Sequence, residues 1–209
     1  KICRISTGIF HLPNEKKPVP TPKRKACPAV FDRFNDRLAR DIRNSLSESF
    51  VDALTKLDQS EYQAAARKLL AGNLPDVYAD YIKDRLERYA RIFGEINANG
   101  ISDAKIQVLV IWNHGLFFEV HDHLERLWQE ADGDDYQALK GLIQAAGVYI
   151  HLTLNHRQAA ERLAIKSSAR MQKYAHCLTF IDNLNLLIDK LQRLDRVPPL
   201  LVSPGPRPD

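Results

Sequence analysis

Apolar side chains recur every three or four residues along most of this chain, and this spacing restricts it to helical folds. The spacing puts a stripe of apolar residues on one face of each helix, whereas a half-buried strand would alternate strictly. The pattern therefore predicts an all-α bundle of seven or eight helices. It begins with Phe31, Phe34, Leu38 and Ile42 and ends with Ile181, Leu184, Leu187, Ile188 and Leu191.

Polar residues and glycine between the apolar stripes mark the expected helix ends. Asp32 is placed to cap the first helix, and Ser47 or Ser49 to cap a second helix within the same apolar run. Gly115 predicts a helix stop. The short turn Asp132–Asp135 predicts that the helices on either side of it form an antiparallel hairpin.

Composition divides the 209 residues into four predicted segments. Residues 28–100 form an N-terminal helical extension and residues 101–195 a C-terminal helical domain; with no Gly/Ser linker between them, we expect a shared core. Residues 1–27 and 196–209 are rich in proline, which predicts a disordered basic leader and a flexible, unpacked Pro-rich tail. Residues 1–25 carry a net charge of +6 against +4 for the whole chain, so the basic character belongs to the leader.

Cysteine spacing and hydropathy indicate the cellular compartment of the protein and whether it associates with a membrane. Cys3, Cys27 and Cys177 are far apart, which is typical of free thiols in a reducing compartment rather than of a disulfide framework. No apolar run reaches the roughly eighteen residues that a membrane helix needs. These features predict a soluble cytoplasmic protein with no membrane association. The short basic leader is weak support for nucleic-acid binding, which we disfavour.

Four arginines on the first predicted helix raise the alternative of a phosphate-binding face. Arg33, Arg37, Arg40 and Arg43 surround Asp41. Arginine and aspartate one turn apart more often pair with each other in solvent, so we favour a solvated face.

The first half of the candidate site lies in residues 117–128, with the sequence FFEVHDHLERLW. On a helix, His121 shares an apolar stripe with Leu124 and Trp128, and Glu125 follows His121 by about one turn. A histidine and a carboxylate therefore face an apolar surface.

The second half lies in residues 141–152, with the sequence GLIQAAGVYIHL. Gln144 and His151 are seven residues apart and share a helix face, and Gly147 between them lets another helix approach closely. If the two helices pair, His121, Glu125, Gln144 and His151 are expected to meet inside one helical core.

The segment from about Ile106 to Met171 resembles a bacterial family called domain of unknown function 309. The resemblance is carried by the motifs NHGLFFEVHDHLERLW, GLIQAAGVYIH and NHRQAA, and it covers roughly a third of the chain. That family is all-α and is labelled a predicted metal-dependent hydrolase. Asp122 departs from the family pattern, since a His-Glu pair is usual there. The resemblance implies His121, Glu125, Trp128, Gln144 and His151 as core positions, with Glu119 beside them.

Two imidazoles and a carboxylate can bind Zn²⁺ or Mn²⁺ and leave a position for a reactive water molecule. A further carboxylate could then act as a base. We accordingly predict His121, Glu125 and His151 as metal ligands, Glu119 and Asp122 as catalytic carboxylates, and Gln144, Trp128 and Tyr149 as substrate contacts.

Two functions remain open from the sequence. The first is a metal-dependent hydrolase that acts on an unidentified small molecule. The second is a non-enzymatic helical module that binds a protein partner or a second copy of itself, with the histidine, glutamate and glutamine residues forming a buried structural network.

Overall fold

The computed structural model describes residues 31–32 and 34–203, and this part of the chain contains eight α-helices and no strand. The prediction of an all-α bundle is confirmed. A 3₁₀ turn at Ala175–Cys177 separates the last two helices. The helices are α1 (Arg37–Lys56), α2 (Ser60–Leu70), α3 (Asp76–Ala98), α4 (Ala104–Asn113), α5 (Phe117–Glu130), α6 (Gly133–Thr153), α7 (Arg157–Lys173) and α8 (Leu184–Gln192).

The start of α1 differs from the prediction. The side chain of Asp36, not that of Asp32, accepts the hydrogen bond from the backbone N–H of Leu38 and caps the helix. Asp32 instead accepts from the backbone N–H of Phe34 and stabilises the turn before α1. The predicted break near Ser47 is wrong, because α1 is continuous over 20 residues and Ser47 is fully buried within it.

Helices α5 and α6 form the predicted antiparallel hairpin, and only Ala131 and Asp132 connect them. Near the turn, the rings of Trp128 and Tyr136 lie 4.7 Å apart. At the open end, Phe117 stacks on Tyr149 with ring centroids 5.1 Å apart. Pairing of residues at both ends fixes the register of the hairpin, because each ring contact holds one end of the two helices together.

A single hydrophobic core contains residues from all eight helices. Small residues let α6 and α7 approach closely within it: a Cβ atom on Gly141 would lie 3.0 Å from Met171 Cγ, and one on Gly147 would lie 3.2 Å from Leu163 Cδ1. The hydroxyl of Ser167 on α7 donates to the carbonyl oxygen of Gly141, 2.7 Å away. The short distance from Gly147 to Leu163 agrees with the prediction that Gly147 lets another helix approach closely.

A buried charged contact joins the N-terminal helices to α5. The carboxylate of Glu119 is 1% exposed and accepts a 2.7 Å hydrogen bond from the Tyr89 hydroxyl of α3. The Arg85 guanidinium, also on α3, lies 3.7 Å from the same carboxylate oxygen and packs over the Tyr81 ring. Burial and the Glu119 charge together hold the pKa of Tyr89 well above its usual value, so its hydroxyl stays protonated and donates.

The prediction that the Pro-rich segment 196–209 is unpacked is wrong for residues 197–203. We call these residues the C-terminal strap. Leu201 is 3% exposed, its N–H donates to Asn113 Oδ1, and its carbonyl accepts from Asn113 Nδ2. The buried Trp112 indole donates to the carbonyl of Pro199. Proline lacks an N–H but keeps a carbonyl acceptor, so the strap binds the bundle through carbonyls and asparagine side chains.

Several sequence predictions lie outside the described residues, including the basic leader at 1–27, Arg33 and the last six residues. Cys177 is a free cysteine, in agreement with its prediction. Within residues 31–32 and 34–203, no helix combines the length and the hydropathy needed to cross a membrane.

Replacing Glu119 tests the buried contact between α3 and α5. We expect Glu119→Ala to lower the free energy of unfolding by about 3–5 kcal/mol, because it leaves the Arg85 charge buried without its partner. Glu87→Ala is the control: Glu87 lies on the exposed side of α3, where its ion pair with Arg91 is solvated, and we expect a change within about 0.5 kcal/mol. Urea denaturation measures both variants, and equal stability would contradict a structural role for the contact.

Two neighbouring leucines test the packing of the C-terminal strap. Leu201→Ala removes a buried side chain and should lower the free energy of unfolding by about 2 kcal/mol or more. Leu200 is 67% exposed, so Leu200→Ala should change it by less than about 0.5 kcal/mol. Thermal denaturation compares the two, and a strap that does not contribute to folding would give equal melting temperatures.

Candidate functional site

Three potential metal ligands converge on the polar side of α5. His121 Nδ1 lies 3.4 Å from Asp122 Oδ1 and 3.8 Å from Glu125 Oε2. One donor atom from each of the three residues falls within 4.8 Å of the others, and all three side chains are half-buried. The i, i+4 spacing of His121 and Glu125 puts both on one face of the helix, as predicted, while Asp122 reaches the group from the adjacent position.

His121 and Asp122, but not Glu125, line a cavity of about 260 Å³, which we call the α5–α6 pocket. Phe34 from the segment before α1 contributes an aromatic wall, with its ring 5.6 Å from that of His151 and 5.4 Å from that of His156. His121 and His151 both line this pocket, from opposite helices of the hairpin. The lining consists of Phe34, Arg43, Phe118, His121, Asp122, Gly147, Ile150, His151 and Leu163.

Helix α1 supplies Arg43 to the pocket lining and Ser47 to the lining residue Asp122. The buried hydroxyl of Ser47 donates a hydrogen bond to Asp122 Oδ2, which fixes the orientation of that carboxylate. The Arg43 guanidinium lies over the Phe118 ring, 4.4 Å from its centroid. The sequence pattern predicted a helix cap at Ser47 or Ser49 and a solvated face for Arg43, and it did not reveal that Ser47 and Arg43 contribute to the site.

The two histidines of the pocket have opposite pKa shifts. Burial acts to lower the pKa of His121, but the contact with Asp122 and the negative charge of Glu125 outweigh it, so the pKa is raised. The pKa of His151 is lowered by burial and, to a lesser extent, by the positive charges of His156 and Arg162. His151 is therefore the more readily neutral imidazole, and its buried Nδ1 has no hydrogen-bond partner among the described residues.

Four other predicted site residues lie away from the pocket lining. Glu119 is held by Tyr89 and Arg85 on the α3 side of α5, so its carboxylate is already satisfied. Gln144 accepts a 2.9 Å hydrogen bond from Arg170 of α7.

The remaining two, Trp128 and Tyr149, serve helix packing. Trp128 packs against Tyr136 at the hairpin turn, and Tyr149 packs between Trp112 and Phe117 in the core. The geometry does not support a catalytic role for Glu119 or substrate contacts for Gln144, Trp128 and Tyr149.

The converging donors suit one divalent ion. Two ligands on opposite sides of an ion with bonds of about 2.0–2.2 Å are at most ~4.4 Å apart. The 4.8 Å limit of the His121, Asp122 and Glu125 group exceeds that span by only a few tenths of an ångström, which small side-chain rotations can provide. Asp122, rather than the predicted His151, is the residue grouped with His121 and Glu125, while His151 lies on the pocket wall.

The comparison with family models identifies the central part of this chain. Residues 106–163 match the model described as "Domain of unknown function (DUF309)". Searches of curated proteins and of solved structures returned no match to this chain. The match includes His121, Asp122, Glu125 and His151 but ends before most of α7 and excludes α1. Residues 106–163 of this chain are thus similar to the domain of unknown function 309 family, which is the family that the sequence motifs resemble.

Proposed function

We propose that the α5–α6 pocket binds a divalent ion, Zn²⁺ or Mn²⁺, and that the protein is a metal-dependent hydrolase of a small molecule. The observation that carries the proposal is the convergence of His121, Asp122 and Glu125 beside a cavity. One imidazole and two carboxylates form a donor set that borderline and hard divalent ions accept. A cytoplasmic setting is part of this proposal.

His151 is the residue best suited to act as a general base. Its lowered pKa favours the neutral form near pH 7, and its side chain lines the pocket. A metal ion bound at this site would lower the pKa of a coordinated water molecule and polarise a substrate oxygen. His151 faces the same pocket and can accept the proton that such a water releases.

The other residues of the pocket would position the substrate and the ligands. Ser47 orients Asp122 by donating to one carboxylate oxygen, as outer-shell partners of metal ligands commonly do. Phe34 and Phe118 provide apolar walls that exclude water, and Arg43 brings a positive charge beside Phe118.

A second candidate function is a non-enzymatic helical module for a protein partner or a second copy. The hydrogen bond from Ser47 to Asp122 favours it, because it links α1 to α5 without requiring an ion. In that case the His121, Asp122 and Glu125 group would be a structural network at the contact between the two helices.

Metal titration separates the two functions. We expect Mn²⁺ or Zn²⁺ to raise the melting temperature of the wild type, since an ion that binds only the folded state at 100 times its Kd adds about 2.7 kcal/mol. Asp122→Asn and His121→Ala should each weaken metal binding about tenfold or more. His176→Ala is the matched control, because His176 is exposed and pairs with Asp134 instead. A titration in which the wild type and His121→Ala respond alike would exclude the metal site.

The pH dependence of stability should change sign when the ion is added. Without metal, the raised pKa of His121 means that its proton stabilises the fold below the unfolded value of about 6.5, and this stability is lost as pH rises through the folded pKa. With metal, the ligand must be deprotonated, so the added stability appears as pH rises through the same range. Denaturation at several pH values, with a chelator or with Zn²⁺, measures both slopes. Equal slopes under the two conditions would contradict metal binding by His121.

Hydrolysis is tested with the metal-loaded protein and a panel of chromogenic esters and phosphates. We expect activity in the wild type and a loss of about 10²-fold or more in His151→Gln, which removes the base but leaves the three ligands. His176→Ala should keep wild-type activity. Full ion occupancy without hydrolysis of any compound would favour the non-enzymatic module.

A further inference from the structure

We propose that a positively charged groove extends from the α5–α6 pocket along the N-terminal half of α7 and binds a small phosphate-bearing molecule. The inference deepens the proposed function, because it names the class of substrate that this site would take. Binding of an anion to the groove does not require the proposed metal ion, because the positive side chains of the groove themselves attract an anion.

Three adjoining cavities make up the groove. The α5–α6 pocket shares His151 and Leu163 with a neighbouring cavity of about 250 Å³. That cavity shares Ala159 and Arg162 with a third one of about 380 Å³, which surrounds the first turn of α7. Shared walls place the metal-ligand group at one end of a continuous surface and the first turn of α7 at the other.

The charge along this surface is mostly positive. Arg157, Arg162 and Lys166 line the two outer cavities, and no aspartate or glutamate lines either of them. None of the three forms an ion pair with any residue that the structure describes, whereas five other surface arginines have a carboxylate within 4.0 Å: Arg37, Arg88, Arg91, Arg126 and Arg193. Their charges are therefore available to an anionic ligand.

Carboxylates at the pocket end already have partners. Asp122 accepts from Ser47, and Asp32, which lies near His156, accepts from the backbone N–H groups of Phe34 and Asn35. Hydrogen bonds from these neutral donors leave both carboxylates charged, so the positive charge of the groove is concentrated in its two outer cavities, which no carboxylate lines. Arg43 adds a further positive group at the inner end, where it packs over Phe118.

Phosphate is the anion that fits this arrangement best. Arginine binds phosphate oxygens through paired N–H donors, and several cations along a line match a ligand with more than one negative charge. The cavities together suit a small molecule, because ligand pockets commonly enclose about 300–1,000 Å³. A divalent ion at His121, Asp122 and Glu125 would add further positive charge at the inner end of the groove.

Inorganic tripolyphosphate tests the groove directly, by calorimetry in a chelator at low salt. We expect wild-type binding to weaken as salt rises. The double variant Arg162→Gln/Lys166→Gln should bind about tenfold more weakly or worse, because charge-assisted contacts are lost. The matched control is Arg91→Gln/Lys83→Gln on α3, which removes the same charges from exposed positions outside the groove. Circular dichroism checks that both variants are folded.

Each outcome decides the proposal. Wild-type binding that only the α7 double variant loses supports the groove. Absence of wild-type binding, or equal losses in the two double variants, overturns it. A single-stranded oligonucleotide that binds more tightly than tripolyphosphate at the same salt would assign the surface to nucleic acid and overturns it as well. Tripolyphosphate binding without metal uptake would support the groove and refute the metal-dependent hydrolase. Metal uptake without tripolyphosphate binding would overturn the groove and leave the metal site standing.

Discussion

The buried carboxylate of Glu119 fixes the orientation of α5, and the candidate site depends on that orientation. On one side of the helix, the buried Glu119 carboxylate accepts from Tyr89 and pairs with the buried Arg85. Rotation of α5 would break this contact and leave charges buried without partners, which costs several kcal/mol. Because the rotation is fixed, His121 and Asp122 are held toward α1, α6 and the pocket.

The site is composite, since the family segment at 106–163 does not complete it. Helix α1 lies outside that segment yet supplies Ser47 to Asp122 and Arg43 to the pocket wall. Phe34, which precedes α1, covers the pocket beside His151. The N-terminal helices are thus more than a support for the family domain, because they set the polarity and access of its polar cavity.

Sequence periodicity predicted the helices and the hairpin of α5 and α6, because local signals fix these features. It could not predict partners that come from distant helices. Ser47 in an apolar run resembles a helix cap until α5 is seen to place Asp122 against it. Gln144 does share a face with His151, but α7 supplies Arg170 to bind it. The proline content of the strap predicted an unpacked segment. The strap packs nevertheless, because its backbone carbonyls accept hydrogen bonds from side chains of α4, which a sequence pattern cannot show.

The central claim is that His121, Asp122 and Glu125 together bind one divalent ion at the edge of the α5–α6 pocket. Anomalous diffraction at the zinc edge, from crystals grown with Zn²⁺, tests it most directly. The account predicts one anomalous peak about 2.0–2.2 Å from a nitrogen of His121 and from a carboxylate oxygen of Asp122 and of Glu125. Zinc at full occupancy elsewhere on the chain, with no peak among these three side chains, would contradict it.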